Sequence, residues 1–163
     1  MILPPFDVAE PTTVAEACAL LSEHGPGARV LANGTDVLVN MKKRTLFDAH
    51  PPARAGERFA GSPHPWSGAD ASTLLVSLGR VEGLVGVTGA ADGGLSVGPM
   101  TCMADLEADP AIRARYSALA EGAGAVGAPT VRNRATLGGH LCHARPAADT
   151  APPSIVLGAT LIA

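Results

Sequence analysis

Leu31-Ala32-Asn33-Gly34-Thr35-Asp36-Val37-Leu38 is an apolar run that breaks into four turn-forming residues and then resumes. A strand entering such a turn leaves successive backbone N–H groups pointing inward, and a glycine keeps bulky atoms away from them. Concave arrays of amides of this kind hold phosphate. An ordinary surface turn has the same composition, so this segment alone leaves both readings open.

Upstream, Thr13-Val14-Ala15-Glu16 has the spacing of a capping box. Val14, Ala17, Leu20 and Leu21 then recur at helical intervals, and Gly25 is a C-terminal stop. A helix is predicted over 13–24, and a short buried strand from Ala28 to Leu31. Downstream, Val37 to Met41 is apolar again. From Thr45 to Ser72 the chain is rich in Pro and Gly and reads as a long surface loop, in which Trp66 either packs as an anchor or meets a partner. Thr73 to Leu78 is strand-like, and Leu84–Thr88 and Leu95–Val97 flank Asp92-Gly93-Gly94 as a hairpin. Thr101 is read as the cap of a short helix running through Glu107, broken by Asp109-Pro110, and another helix is predicted from Tyr116 to Ala125. Residues 127–133 and 136–146 read as irregular. A last helix starts at Asp149 or Thr150, tolerates Pro152 and Pro153 in its first turn and ends at Gly158. Thr160 to Ala163 reads as the start of a strand, from which the chain is expected to be part of something longer. Helices mixed with short strands and a hairpin indicate an α+β fold.

Of the 163 residues, 47% are apolar and 17% charged, a globular composition far from the disordered class. With aromatics at 3%, the core must be built from Ala, Val and Leu. A net charge of −3 without a basic run argues against nucleic acid as a partner. No stretch has the length of a membrane span, and no basic, apolar leader opens the chain. Cys18, Cys102 and Cys142 are scattered and form no CxxC, so zinc and iron–sulfur ligation lack support. A cytoplasmic protein with reduced thiols is the default expectation.

A literal G-x-G-x-x-G occurs at Gly122, Gly124 and Gly127. The dinucleotide fingerprint needs a strand before it and a helix after it. Here a helix precedes, so the motif is set aside. Two other segments could touch a ligand. In Arg134-Ala135-Thr136-Leu137-Gly138-Gly139-His140, paired glycines permit close backbone approach and Thr136 adds a hydroxyl. In Arg145-Pro146-Ala147-Ala148-Asp149-Thr150, Asp149 is either a helix cap or an acceptor for polyol hydroxyls.

Taken in this order, the segments resemble the FAD-binding medium subunits of molybdenum hydroxylases, a family that includes carbon monoxide dehydrogenase, xanthine dehydrogenase and 4-hydroxybenzoyl-CoA reductase. The resemblance runs from Phe6 and Pro11-Thr12-Thr13 over nearly the whole chain. It implies a two-lobed FAD-binding domain of the PCMH type, like the vanillyl-alcohol oxidase and CO-dehydrogenase flavoproteins. The lobes are expected at about 1–70, carrying the loop 45–72, and 71–163, the second incomplete, with roughly the last two-fifths of a usual medium subunit missing. It also implies that Leu31, Ala32, Asn33, Gly34, Thr35, Asp36, Val37 and Leu38 wrap the diphosphate of non-covalent FAD together with Thr136, Gly138, Gly139 and His140. Asp149 would meet the ribityl chain and Val126 would lie near the flavin ring. His140 departs from the family, which usually has Asn or Asp there. The implied partners are a large molybdopterin subunit and a small subunit with two [2Fe–2S] clusters. No residue is assigned a catalytic role, because the flavin performs the redox chemistry. Two alternatives stay open: a flavin-free remnant that only docks on partner subunits, and a distant flavin reductase of the same fold.

Overall fold

Phe6–Ala9 (β1), Ala28–Leu31 (β2) and Thr73–Ser77 (β3) form one parallel sheet in the order β1-β3-β2. The computed structural model describes residues 3, 5–42, 73–144 and 147–162. The register sets Leu74 opposite both Asp7 and Ala28, so β3 is paired along both edges. Its Leu75 and Val76 have no exposed surface, the apolar pattern of a parallel strand covered on both faces. β1 was not anticipated. Its Asp7 and Val8 are both exposed, so it carries no alternating signature.

The crossover from β1 to β2 is Val14–His24 (α1), which opens with the predicted capping box. Thr13 Oγ1 accepts from the Glu16 amide at 3.1 Å, while Glu16 Oε2 accepts from the Thr12 and Thr13 amides at 2.8 and 3.3 Å. The Thr12 backbone contact, then the Thr12 hydroxyl, then the Thr13 amide hold the Glu16 carboxyl below its ordinary range. Gly25 ends the helix at φ +49°. Ala17 packs against Ala28 and Val76, bordered by Leu20, Leu21, Leu74 and Leu78. Small side chains at the centre let helix and sheet approach closely. After the turn at Gly34, residues 37–42 are helical (α2), with Leu38 N donating to Gly34 O at 3.1 Å and Met41 buried.

β3, whose residues 73–77 were assigned to the second lobe, is the central strand of the sheet that also holds β1 and β2. The loop 45–72 and Trp66 lie outside the described residues.

The second body begins with Val87–Gly89 (β4) and Leu95–Val97 (β5), an antiparallel pair closed as predicted around Gly93 at φ +82°. Met103–Ala108 (α3), Pro110–Arg115 (α4) and Ser117–Ala125 (α5) enclose a core of Met103, Leu106, Ile112, Ala120, Ala123, Val126 and Ala135. Thr101 does not cap α3. It is buried, and its hydroxyl accepts from Gly86 N at 2.9 Å and donates to Gly86 O at 3.2 Å, fastening the hairpin to the helices. Asp109 caps α4, accepting from the Ala111 and Ile112 amides at 2.8 and 2.9 Å ahead of Pro110. Inside α5, Gly122 lets the Asp149 carbonyl approach: a Cβ there would lie 2.7 Å from it.

Two stretches read as irregular are helical instead: Pro129–Arg132 (α6) and Leu137–His143 (α7). Ala151–Val156 (α8) carries Pro152 and Pro153 in its first turn, as expected. Residues 160–162, read as a strand, pair with none of the described strands, and Leu161 and Ile162 are exposed.

Candidate functional site

Three backbone bonds fasten the start of α7 to the chain leading into α3. Leu137 N donates to Thr101 O at 3.0 Å, Gly138 N to Pro99 O at 2.8 Å, and Met103 N to Ala135 O at 2.8 Å. Thr136 caps α7: its Oγ1 accepts from Gly139 N at 3.2 Å and its carbonyl from His140 N at 2.9 Å. The first four amides of α7 are therefore all engaged within the chain.

The paired glycines serve this packing. A Cβ on Gly138 would lie 2.6 Å from Pro99 Cβ and 2.8 Å from Pro99 O. A Cβ on Gly139 would lie 2.9 Å from Thr136 Oγ1 and 3.4 Å from Ala32 Cβ. Gly139 is thus where the two motifs, far apart in sequence, come into contact.

On the facing wall the hydrogen bonding is the reverse. Gly34 has φ +80°, and a Cβ there would press on Leu38 Cδ1 at 2.9 Å and Leu31 Cδ1 at 3.3 Å. Among the described residues, the amides of Asn33, Gly34, Thr35 and Val37 meet no acceptor. They belong to the turn just ahead of α2, where the sequence led to the expectation of a nest for phosphate.

Between the walls is a cleft of about 190 Å³. Ala32, Asn33, Gly34, Thr35, Asp36 and Val37 line one side, and Thr136, Gly139 and His140 the other. Leu31 and Leu38 lie behind Gly34, and Gly138 lies against Pro99. Two expected residues are not brought here. Val126 is buried in the helical core with Ile112 and Ala123. Asp149 is exposed ahead of α8 and does not line the cleft. The N-cap position of α8 is Thr150, which makes no side-chain cap bond, so Asp149 is not the helix cap either.

Val30, Ala135, Cys142 and His143 also line the cleft and were missed. His143 Nε2 lies 3.8 Å from Asp36 Oδ1 and 3.4 Å from Asn40 Nδ2, spanning the mouth between the walls. The signal for it is the i, i+3 spacing from His140, which has meaning only once 137–143 is read as helix. Asn33 turns its amide toward Cys102 Sγ at 4.0 Å. Burial and then Asp105 push the Cys102 thiol up, opposed by Arg134. His140 Nε2 is buried and meets no partner. Among the described residues no cluster of His, Cys, Asp and Glu is placed to hold a metal ion, and no helix is long and apolar enough to cross a membrane.

Residues 67–163 match the family described as the FAD-binding domain in molybdopterin dehydrogenase. The chain belongs to this FAD-binding family. It is 33% identical over 162 residues to the carbon monoxide dehydrogenase medium chain of Hydrogenophaga pseudoflava, covering 99% of this chain and 48% of that one. It is 30% identical over 149 residues to the xanthine dehydrogenase FAD-binding subunit of Escherichia coli O157:H7, covering 91% of this chain and 42% of the relative. The solved structure of reconstituted CO dehydrogenase from Oligotropha carboxidovorans superposes with a TM-score of 0.72 at 26% identity, over 92% of this chain and 44% of that one. The chain thus spans under half the length of the relatives it matches. The cleft fits the family's cofactor in kind, with unbonded amides on one wall and an unpartnered imidazole nitrogen on the other. Its volume is below the roughly 300–1,000 Å³ of pockets that enclose a whole ligand, so it suits one segment of an extended molecule.

Proposed function

We propose that this chain binds FAD non-covalently as part of the electron-transfer flavoprotein of a molybdenum hydroxylase. The observation that carries this is the cleft itself. In a member of the FAD-binding family, four unbonded amides belong to the turn at Gly34, whose residues line the cleft opposite Thr136, Gly139 and His140. A diphosphate is the part of FAD that such amides recognise. Residues 31–38 supply the nest and its supports, and Thr136, Gly138, Gly139 and His140 the opposing wall. Asp149, exposed beyond the cleft, is available to the polyol part of a cofactor longer than the cleft. Val126 acts from the core, by shaping α5 rather than by contact. The two lobes meet after β3 rather than at residue 70.

FAD supplies the reversible acceptance of electrons when bound; the chain orients it and sets its electrostatics. By analogy with the medium chains it is similar to, the chain passes electrons from the [2Fe–2S] clusters of a small subunit, fed by a large molybdopterin subunit, to a terminal acceptor in the cytoplasm. Exposed Ile155, Val156, Leu161 and Ile162 supply an apolar surface in keeping with assembly into a larger body.

Titration of the chain with FAD, followed by flavin fluorescence and by amide chemical shifts, tests the reading. Shifts should centre on residues 33–37 and 136–143, and Gly34→Val, shown folded by circular dichroism, should abolish them. Absence of any shift at millimolar FAD, or shifts confined elsewhere, would reject the site. Denaturation should release the flavin; flavin that remains on the precipitated chain would reject non-covalent binding.

A further inference from the structure

The α7 wall of the cleft has no backbone donor left to offer. The amides of residues 137–140 are bonded to Thr101, Pro99 and Thr136. What remains are side chains: the Thr136 hydroxyl, already accepting from Gly139, and the His140 imidazole, whose Nε2 is buried with no partner. Leaving a buried polar nitrogen unpaired costs free energy that a bound ligand atom would return. An imidazole differs from an amide in one respect that matters here, because it can carry a positive charge near neutral pH.

We infer that His140 makes cofactor binding protonation-dependent, with Nε2 donating to an oxygen of the FAD diphosphate and the imidazolium holding it more tightly than the neutral ring. The inference rests on the flavin site proposed above. The other titratable groups facing this region are few. Asp36 comes from the opposite turn and is met by His143 Nε2 at 3.8 Å. Cys142 and His143 lie on α7. Cys102, bridged to Thr136, has a thiol that burial keeps protonated. A diphosphate adds negative charge beside His140, so binding favours the charged ring, and by linkage protonation favours binding. Neither the diphosphate diester nor the flavin ring changes charge across the range in which histidines titrate, about pH 5 to 8. A pH response in that range therefore belongs to the protein.

The test is a titration of the chain with FAD and with ADP-ribose, which shares the diphosphate diester but lacks the flavin, at about pH 6 and about pH 8. Wild-type affinity should be about tenfold higher at the lower pH for both ligands, the ratio that a single charge-assisted contact gives. His140→Asn should still bind but lose the pH response. His140→Ala should bind more weakly at both, His24→Gln, in the last turn of α1 away from the cleft, should keep the wild-type response, and His143→Gln, which lines the cleft, should still show a pH difference. The His140 ring ¹⁵N signal should move on adding either ligand. A pH response that survives in His140→Asn, or that disappears only in His143→Gln, would overturn the inference, as would wild-type binding that is flat with pH. Wild-type protein that binds neither ligand would instead reject the flavin site, and this inference with it. Circular dichroism on each variant, with His140→Asn as the conservative change, separates loss of folding from loss of binding.

Discussion

Replacing Gly138 by alanine should destabilise the protein before it affects any ligand. The added methyl would lie 2.6 Å from Pro99 Cβ and 2.8 Å from Pro99 O, while carbon atoms pack comfortably at about 3.5–4.0 Å. Roughly 1 Å of separation must open between α7 and the Pro99 segment. Overpacking of this kind costs about 1–3 kcal/mol. The same movement stretches the 2.8 Å bond from Gly138 N to Pro99 O, worth about 1 kcal/mol. Two effects oppose it: alanine is favoured over glycine within a helix by about 0.8–1 kcal/mol, and Pro99 is exposed and has room to yield. The balance is a loss of about 1–3 kcal/mol, or roughly 3–10 °C in Tm for a domain of this size. Urea unfolding of the flavin-free protein measures it, with Gly27→Ala as the control, since a Cβ there meets nothing within 4 Å. A Gly138→Ala midpoint equal to the wild type would refute the packing role. Unchanged stability with lost FAD affinity would mean instead that the glycine clears the path of a ligand.

Asp149→Ala should weaken FAD by about 1–3 kcal/mol without lowering stability, because the carboxylate caps no helix; a stability loss with unaltered affinity would reject the polyol contact. Glu16 has a lowered pKa in the fold, so its contribution is present at neutral pH. It is lost as pH falls through the ordinary carboxylate range, where the unfolded chain takes up the proton first; Glu16→Gln should flatten that acid limb of the stability profile, and an unchanged limb would contradict the capping account. Maleimide should label exposed Cys18 and Cys142 rapidly at mildly alkaline pH and Cys102 slowly, since burial raises the Cys102 thiol. Saturating FAD should protect Cys142, which lines the cleft, and leave Cys18 untouched; equal protection of both would place the flavin elsewhere.

The parts of the fold legible in the sequence are those whose cause is local. The Thr13–Glu16 box, the Gly25 stop and the Gly93 hairpin each depend on a few neighbouring residues, and all three are present as read. The parts that were misread depend on distant partners. β1 is a strand because β3 lies beside it, not because Phe-Asp-Val-Ala alternates. α7 contains two glycines in its first turn, which lower helix propensity. It forms because Thr136 caps it and the Pro99–Thr101 carbonyls hold its first amides. Thr101 was read as a helix cap on spacing alone, but the hairpin competes for its hydroxyl and wins. The same division holds for the site. The turn at Gly34 depends on a few neighbouring residues and could be read directly. His143 and Cys142 come into view only when α7 is a helix laid against that turn.

The cleft owes its character to this unequal history of hydrogen bonding. The turn leaves the amides of Asn33, Gly34, Thr35 and Val37 without an acceptor in the chain, which lowers its own stability. It persists here because its framework is secured elsewhere: Gly34 takes the left-handed conformation, Leu31 and Leu38 close behind it, and α2 starts from its carbonyls. The opposing wall reaches rigidity by the contrary route, with every first-turn amide of α7 engaged and Gly138 wedged on Pro99. A flexible wall would have to be ordered when a ligand arrives, at an entropic cost to affinity. A wall already fixed by its own bonds leaves only the side chains of Thr136 and His140 to adapt. Whatever enters the cleft therefore meets the unbonded amides of the turn, with Asp36 beside them, on one side and the side chains of Thr136 and His140 on the other.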